Sequence, residues 1–208
     1  MNTQKIALFG ATGEVGRQLA EEALKRGHNV TAVVREETEL QMKHPNLKIV
    51  KGDARKPEEV ARLAKDHDVV IGFHAPIKES PLEHVAATRA YIEGTKKAGV
   101  KNLVTVGHAF GKWQGNTQEA YDAFKPIAQA QREALKLFRN EKELNWTYAS
   151  SPEPERTEPK GEYRMSNEIL FTHPTGEHRV QPKNFSTALV DEAEKGTFEY
   201  HQHEDEEL

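Results

Sequence analysis

The apolar positions of this chain fall into short uninterrupted runs separated by stretches with helical spacing. Lys5-Ile6-Ala7-Leu8-Phe9 is such a run, and it ends at a glycine. Val15, Leu19 and Ala23 then recur every four residues until Arg26-Gly27-His28 breaks the pattern, so the opening reads as strand, turn, helix. Val30–Val34, Leu47–Val50, Val69–Phe73, Asn102–Gly107 and Trp146–Ala149 repeat the apolar run and predict five further strands. These runs are continuous rather than alternating, as expected of strands covered on both faces of a parallel sheet. Helices are predicted over Pro57–Lys65, Leu82–Ala98 and Thr117–Arg139. Strands alternating with helices imply an α/β, doubly wound parallel sheet in three αβα layers with right-handed crossovers. No repeat or flexible linker divides the chain, so one domain over residues 1–208 is expected, with a small substrate-side part from about residue 151 onward. Ser151–Lys160 holds three prolines in ten residues and is expected to be a loop beside the sixth strand. The last ten residues end in an acidic cluster with little to bury and are expected to fray.

The 208 residues suffice for one domain with a real core. A net charge of -4 offers no general attraction to phosphate backbones or anionic lipid, so a nucleic-acid or membrane partner is not expected, and the partner is a small molecule. The chain has no cysteine, which removes disulfide and thiolate chemistry and agrees with a cytoplasmic location. The N-terminal apolar run is too short for a signal peptide or a membrane span. A monomer or small homo-oligomer is expected.

Candidate chemistry begins directly after the first strand. Gly10-Ala11-Thr12-Gly13-Glu14-Val15-Gly16 places glycines at the first, fourth and seventh positions between strand and helix. In that setting Gly10 permits a tight turn, Gly13 lets backbone approach a pyrophosphate, and Gly16 lets the helix pack closely. Amides of residues 12 to 16 at the positive end of the helix dipole would receive the phosphates, with Glu14 turned outward. A tight turn with no ligand is the plain alternative. At the end of the second strand stands Val34-Arg35-Glu36, where an acidic residue would bind the ribose hydroxyls of NAD. The Arg35 guanidinium instead suits a 2′-phosphate, so NADP(H) is preferred and NAD(H) possible, with Glu36 and Glu37 pulling the other way. Gly52-Asp53-Ala54 follows the third strand. Asp53 could accept from an adenine amino group, or could cap the helix near Pro57.

These features, with R-G-H-x-V-T-A-V-V-R, K-A-G-V-K-N-L-V-T-V-G and L-N-W-T-Y, resemble the atypical short-chain dehydrogenase/reductases of the NAD(P)H-binding, NmrA-like type over nearly the whole chain. The nearest likeness is to bacterial NAD(P)-dependent oxidoreductases related to biliverdin-IXβ/flavin reductase. The resemblance implies a Rossmann fold. It also implies that Phe73, His74 and Ala75 lie beside the nicotinamide ribose, that Gly107 and His108 lie beside the nicotinamide, and that the segment after Ala149, with Pro152, lies over the ring. Arg156–Tyr163 resembles a substrate-side loop, followed by an edge strand and a helix near Asn184–Glu194. Gly107-His108-Ala109-Phe110 departs from the small residues usual there, and the charged C-terminal end departs from a compact final strand.

The catalytic candidates are His108, Tyr121 and Lys125. Tyr121-Asp122-Ala123-Phe124-Lys125 has the spacing that puts a phenol and an ammonium on one helix face, and His108 stands thirteen residues earlier, where short-chain dehydrogenases keep a serine. Pro126 follows Lys125 directly, which places the pair in or before the first helical turn. The family's lysine would fall near Gln129, one turn away. His108 is the better single candidate, as proton donor or carbonyl-orienting group. His74, Phe110, Trp113 and Pro152 could frame a flat apolar slot. His201 and His203 sit among carboxylates and read as a solvated run rather than a metal site. The expected activity is hydride transfer from NAD(P)H to a small planar conjugated acceptor: a flavin, quinone or tetrapyrrole. The alternatives are a non-catalytic NAD(P)-binding redox sensor of the NmrA type and an engineered scaffold without activity.

Overall fold

A computed structural model describes residues 2–74, 80–108, 118–151, 153–154, 179–180 and 182–195. Six parallel strands make the sheet: β1 (Lys5–Phe9), β2 (Asn29–Val34), β3 (Leu47–Lys51), β4 (Val69–Phe73), β5 (Asn102–His108) and β6 (Asn145–Ser151). Their spatial order is β3-β2-β1-β4-β5-β6. The chain runs outward from β1 to β3, then returns to start the other half at β4, so the order reverses between β1 and β4. That point, outside the carboxyl ends of the strands, is the place where ligands bind open α/β sheets. The register pairs Phe9 with both Val33 and Gly72, which sets the ends of the two central strands side by side.

Two helical layers cover the sheet. On one face lie α1 (Glu14–Lys25) and the last of the five α-helices among the described residues, α5 (Pro182–Lys195). Leu19, Ala20 and Ala23 of α1 and Phe185, Ala188 and Leu189 of α5 are all essentially inaccessible to solvent and share one core with Ile6, Leu8, Val30 and Ile71. On the other face lie α2 (Pro57–Ala64), α3 (Leu82–Lys97) and α4 (Gln118–Arg139). That core is aromatic: Tyr91 meets Phe9 edge-on at 5.6 Å, and Phe138 meets Trp146 at 5.3 Å. Each such side chain contributes roughly 2 kcal/mol by leaving water.

At the foot of the sheet α5 is tied to α1 by charge. Arg26, just past the end of α1, bonds Glu22 at 2.8 Å, Asp191 at 2.6 Å and Glu194 at 2.8 Å. Buried His28 accepts from the Gln4 amide through Nδ1 and so donates through Nε2 to Glu194, at 2.8 Å. The desolvation of the guanidinium is outweighed by its three carboxylates, which hold it protonated more firmly than in water.

The predicted strands and helices occur within one or two residues of their expected bounds, with two differences. Ser151 extends β6 instead of opening a loop, and Glu153–Pro154 pairs in parallel with Arg179–Val180 as a two-residue ladder. Pro154 is tolerated there because the ladder is short and peripheral. Pro126 lies inside α4, not near its start. The helix therefore reaches further toward the N-terminus than the proline suggests, and the cost is one missing amide donor for the Asp122 carbonyl. None of the described helices is long and apolar enough to cross a membrane.

Replacing Arg26 with methionine would leave three carboxylates facing one another. The variant is expected to lose about 2 kcal/mol of stability in urea unfolding. An unchanged midpoint would show that α5 is held by apolar contacts alone.

Candidate functional site

The carboxyl edge of the sheet gathers the ends of β1, β2, β3, β4 and β5. Gly10 leaves β1 with a φ of 89°, in the region that favours glycine. A methyl group on it would also stand 2.4 Å from the Phe73 carbonyl oxygen at the end of β4. A methyl on Gly16 would stand 2.2 Å from the Gly10 carbonyl oxygen, so the first turn of α1 rests directly on the loop. Gly13 differs from both. Its nearest neighbour would be the Gly10 carbonyl oxygen at 3.6 Å, an ordinary contact, and its φ of -72° suits any residue. Among the described residues nothing requires a glycine at position 13, and the residue is exposed. The side that is left open is the outward one, where a ligand would come close.

Gly13 caps α1 with no side chain, and its own amide turns inward onto the Gly10 carbonyl at 3.3 Å. The expectation of free amides from residue 12 to 16 is therefore corrected at Gly13. The Glu14, Val15 and Gly16 amides begin the helix and have no intrahelical acceptor, and among the described residues no loop carbonyl or side chain accepts from them. Glu14 is exposed, Thr12 and Val15 half-buried. An uncapped helix start with an exposed glycine at its cap has the donors and the clearance that a pyrophosphate requires.

Beyond this turn the edge is lined with charge. Arg35 follows β2 and is exposed, and among the described residues it forms no ion pair. Glu36 beside it is bonded by Lys51 at 2.6 Å. Asp53 follows β3 and accepts from the Arg55 amide at 3.0 Å and from its guanidinium at 2.9 and 3.0 Å. Arg55 continues to Glu83 at the start of α3, at 3.2 Å. The helix beginning at Pro57 is capped at Lys56 without a side-chain bond, so the capping role considered for Asp53 is not found. Instead Asp53 fixes its own turn, and Arg55 holds its carboxyl below the usual carboxylate range against the opposing effect of burial. Arg55 stands only two residues away, but residue order alone offers no reason to choose it over the neighbouring Lys56. Ala54 packs into the aromatic core.

At the end of β4, Phe73 packs on the α1 face of the core. His74 follows, half-buried, and its Nδ1 has no hydrogen-bond partner among the described residues. Burial pulls its pKa below the ordinary imidazole value, Arg55 and Arg35 add to that, and Glu83 opposes it. The imidazole is thus neutral near pH 7, with one ring nitrogen available to a ligand. The His74 carbonyl is taken by His84 Nδ1 at 2.5 Å. Ala75 and Pro152 lie outside the described residues, as do Phe110, Trp113, Arg156–Tyr163 and the His201–His203 run.

The candidates for chemistry separate. Gly107 and His108 end β5, paired in register with Ser150 and Ser151. Gly107 has a packing reason to be glycine, because a methyl there would meet the Tyr148 hydroxyl at 2.1 Å. That hydroxyl bonds the Gln131 side chain, and burial raises its pKa, so Tyr148 is a neutral phenol beneath the end of β5. Tyr148 closes the L-N-W-T-Y motif, whose residue order does not reveal this packing role. Tyr121 and Lys125 both lie in α4, and Lys125, which falls past the first turn, is exposed. The side chains of His108 and Tyr121 lie outside the described residues. Gln129, the alternative lysine position, is also exposed, whereas Gln131 faces the sheet.

Known proteins resemble this chain along nearly its full length. The protein YwnB of Bacillus subtilis, whose function is uncharacterised, is 29% identical over 203 residues, covering 91% of this chain and 92% of its own. A solved structure from Burkholderia pseudomallei, described as a candidate exported protein, is 33% identical with a TM-score of 0.76, covering 94% of this chain and 95% of that one. Another from Streptococcus pneumoniae, described as a candidate NADH-flavin reductase, is 29% identical with a TM-score of 0.72, covering 93% and 94%. The model of the NAD(P)H-binding family matches residues 10–192, from the first glycine of the turn to the helix that closes the α1 face. With its sheet reversing at the glycine turn and the family's pattern running through both halves, this chain belongs to the NAD(P)H-binding family.

Proposed function

We propose that this protein is an NADPH-dependent reductase acting on a small planar conjugated acceptor such as a flavin, a quinone or a linear tetrapyrrole. The observation that carries the reading is the uncapped start of α1 beside an exposed, internally unnecessary Gly13 at the sheet's reversal point. The similarity to a candidate flavin reductase supports the acceptor class. The bound nucleotide supplies the hydride, and such transfer to a conjugated ring needs alignment more than acid–base help.

In this reading the first-turn amides of α1 receive the pyrophosphate, and Gly10, Thr12 and Gly13 shape its approach. Arg35 forks onto the 2′-phosphate. Asp53 keeps lone pairs beyond those used by Arg55 and can accept from the adenine amino group. Phe73, His74 and Ala75 border the nicotinamide ribose, with His74 Nδ1 as the polar contact. Gly107, His108 and Pro152 border the nicotinamide, and His108 orients the acceptor or returns a proton to it. Tyr121 and Lys125 are the weaker candidates, since an exposed Lys125 ammonium is well solvated and has little reason to lower a phenol pKa. That exposure favours a second reading, a non-catalytic NAD(P)-responsive sensor. A cytoplasmic location goes with the reductase reading.

Mixing the protein with NADPH and a panel of flavins, quinones and linear tetrapyrroles should give catalytic loss of the reduced-nicotinamide absorbance. Binding without turnover would favour the sensor, and no binding of either pyridine nucleotide would end both readings. Gly13→Ala should leave stability within about 1 kcal/mol, as for a changed helix cap, while weakening NADPH roughly tenfold or more. Gly16→Ala should lose several kcal/mol, of the order seen for overpacking or strain. Equal stability loss in the two variants would mean that Gly13 serves only the fold. Arg35→Ala should shift preference from NADPH toward NADH by about tenfold, as expected for loss of one charge-assisted fork. An unchanged affinity ratio would remove Arg35 from the 2′-phosphate.

A further inference from the structure

The residues after β2 give conflicting electrostatic signals. Arg35 suits a 2′-phosphate, but Glu36, Glu37 and Glu39 follow it. A carboxylate at the end of the second strand is the arrangement that accepts from the free ribose hydroxyls of NAD(H), and it repels a phosphate. From the order of residues alone, Glu36 could cancel Arg35.

The sheet brings a third charge to this point. Lys51 ends β3, and the register sets it opposite Val34, the residue immediately before Arg35. Its ammonium lies 2.6 Å from Glu36 Oε1. The Gly52 amide also donates to the Val34 carbonyl at 2.9 Å, so the two strand ends cannot separate without breaking the ladder. Glu36 is thereby drawn toward the edge strand, whereas among the described residues the Arg35 guanidinium has no carboxylate partner. Arg35 follows β2 and His74 follows β4, the two strands that flank β1 at the reversal of strand order.

Resting on the NADPH reading above, we propose that Lys51 is a specificity-determining positioning residue: it ties Glu36 to β3 and leaves the end of β2 with an unopposed Arg35 for a 2′-phosphate. NADP(H) selectivity then depends on a residue sixteen positions downstream of Arg35, on the neighbouring strand. Lys51 and Glu36 are each more than 60% exposed, so water and salt weaken the tie, and its effect belongs in affinity ratios rather than in fold stability.

Calorimetric titration of the full chain with NADPH and with NADH at low ionic strength tests this. Lys51→Met should lower the preference for NADPH about fivefold, the scale of one exposed charge pair, and Lys51→Arg should keep it. Adding Glu36→Gln to Lys51→Met should restore the wild-type ratio to within about twofold, because no carboxylate then remains to be held back. An unchanged ratio in Lys51→Met would overturn the proposal. So would a double variant that stays as low as Lys51→Met, since Lys51 would then touch the phosphate itself. A wild-type chain that binds neither nucleotide would instead remove the NADPH reading on which the proposal rests. An intact wild-type preference that falls in Arg35→Ala but not in Lys51→Met would leave that reading standing and reject only the role of Lys51.

Discussion

Much of this structure depends on how closely three backbone segments approach one another at the top of the sheet. The first turn of α1 rests on the Gly10 carbonyl, and Gly10 in turn rests on the end of β4 at Phe73. No side chain fits into either contact. The stacking fixes the direction of α1, and that direction decides where its three unpartnered first-turn amides point. The same contact joins the two halves of the sheet at the reversal of strand order, so the anion-accepting turn and the reversal point share one piece of geometry. Gly13 takes part in neither contact, and among the described residues a methyl group on it would meet nothing closer than the Gly10 carbonyl oxygen at 3.6 Å.

Around this point the protein arranges charge in short chains that consume most of it. Asp53, Arg55 and Glu83 form one such chain from β3 to α3, and Lys51 with Glu36 forms another between β3 and the end of β2. Arg35 remains outside both. An exposed arginine counts for little in isolation, but its neighbouring carboxylate Glu36 is already engaged by Lys51. At the opposite edge Arg26 is treated differently: three carboxylates and partial burial make it a fastener between α1 and α5. The same residue type thus stands exposed and without an ion pair among the described residues at one end of the sheet, and fastens two helices at the other.

Around the end of β5 the described residues supply packing more than titrating groups. The Tyr148 ring lies beneath Gly107, packs on Phe138 at 5.4 Å and directs its hydroxyl at Gln131, filling the space under the end of β5. His74 remains neutral through burial.

The sequence by itself determined the parallel sheet, because continuous apolar runs can only be strands buried on both faces, and it determined the turn, because glycines at that spacing between strand and helix have few other uses. It also placed α5, near Asn184–Glu194, through the family resemblance, and that helix is found over Pro182–Lys195. Only the tertiary structure decided which glycines the packing requires, Gly10 and Gly16 but not Gly13, since this depends on distances to Phe73 and Gly10 that spacing does not encode. It also decided that Asp53 is held by Arg55 and does not cap α2, that Pro126 lies inside a helix, and that Glu36 is paired with Lys51. Local patterns record which face of an element is apolar. Partnerships between charged groups on neighbouring strands arise from register, and register exists only once the sheet has formed.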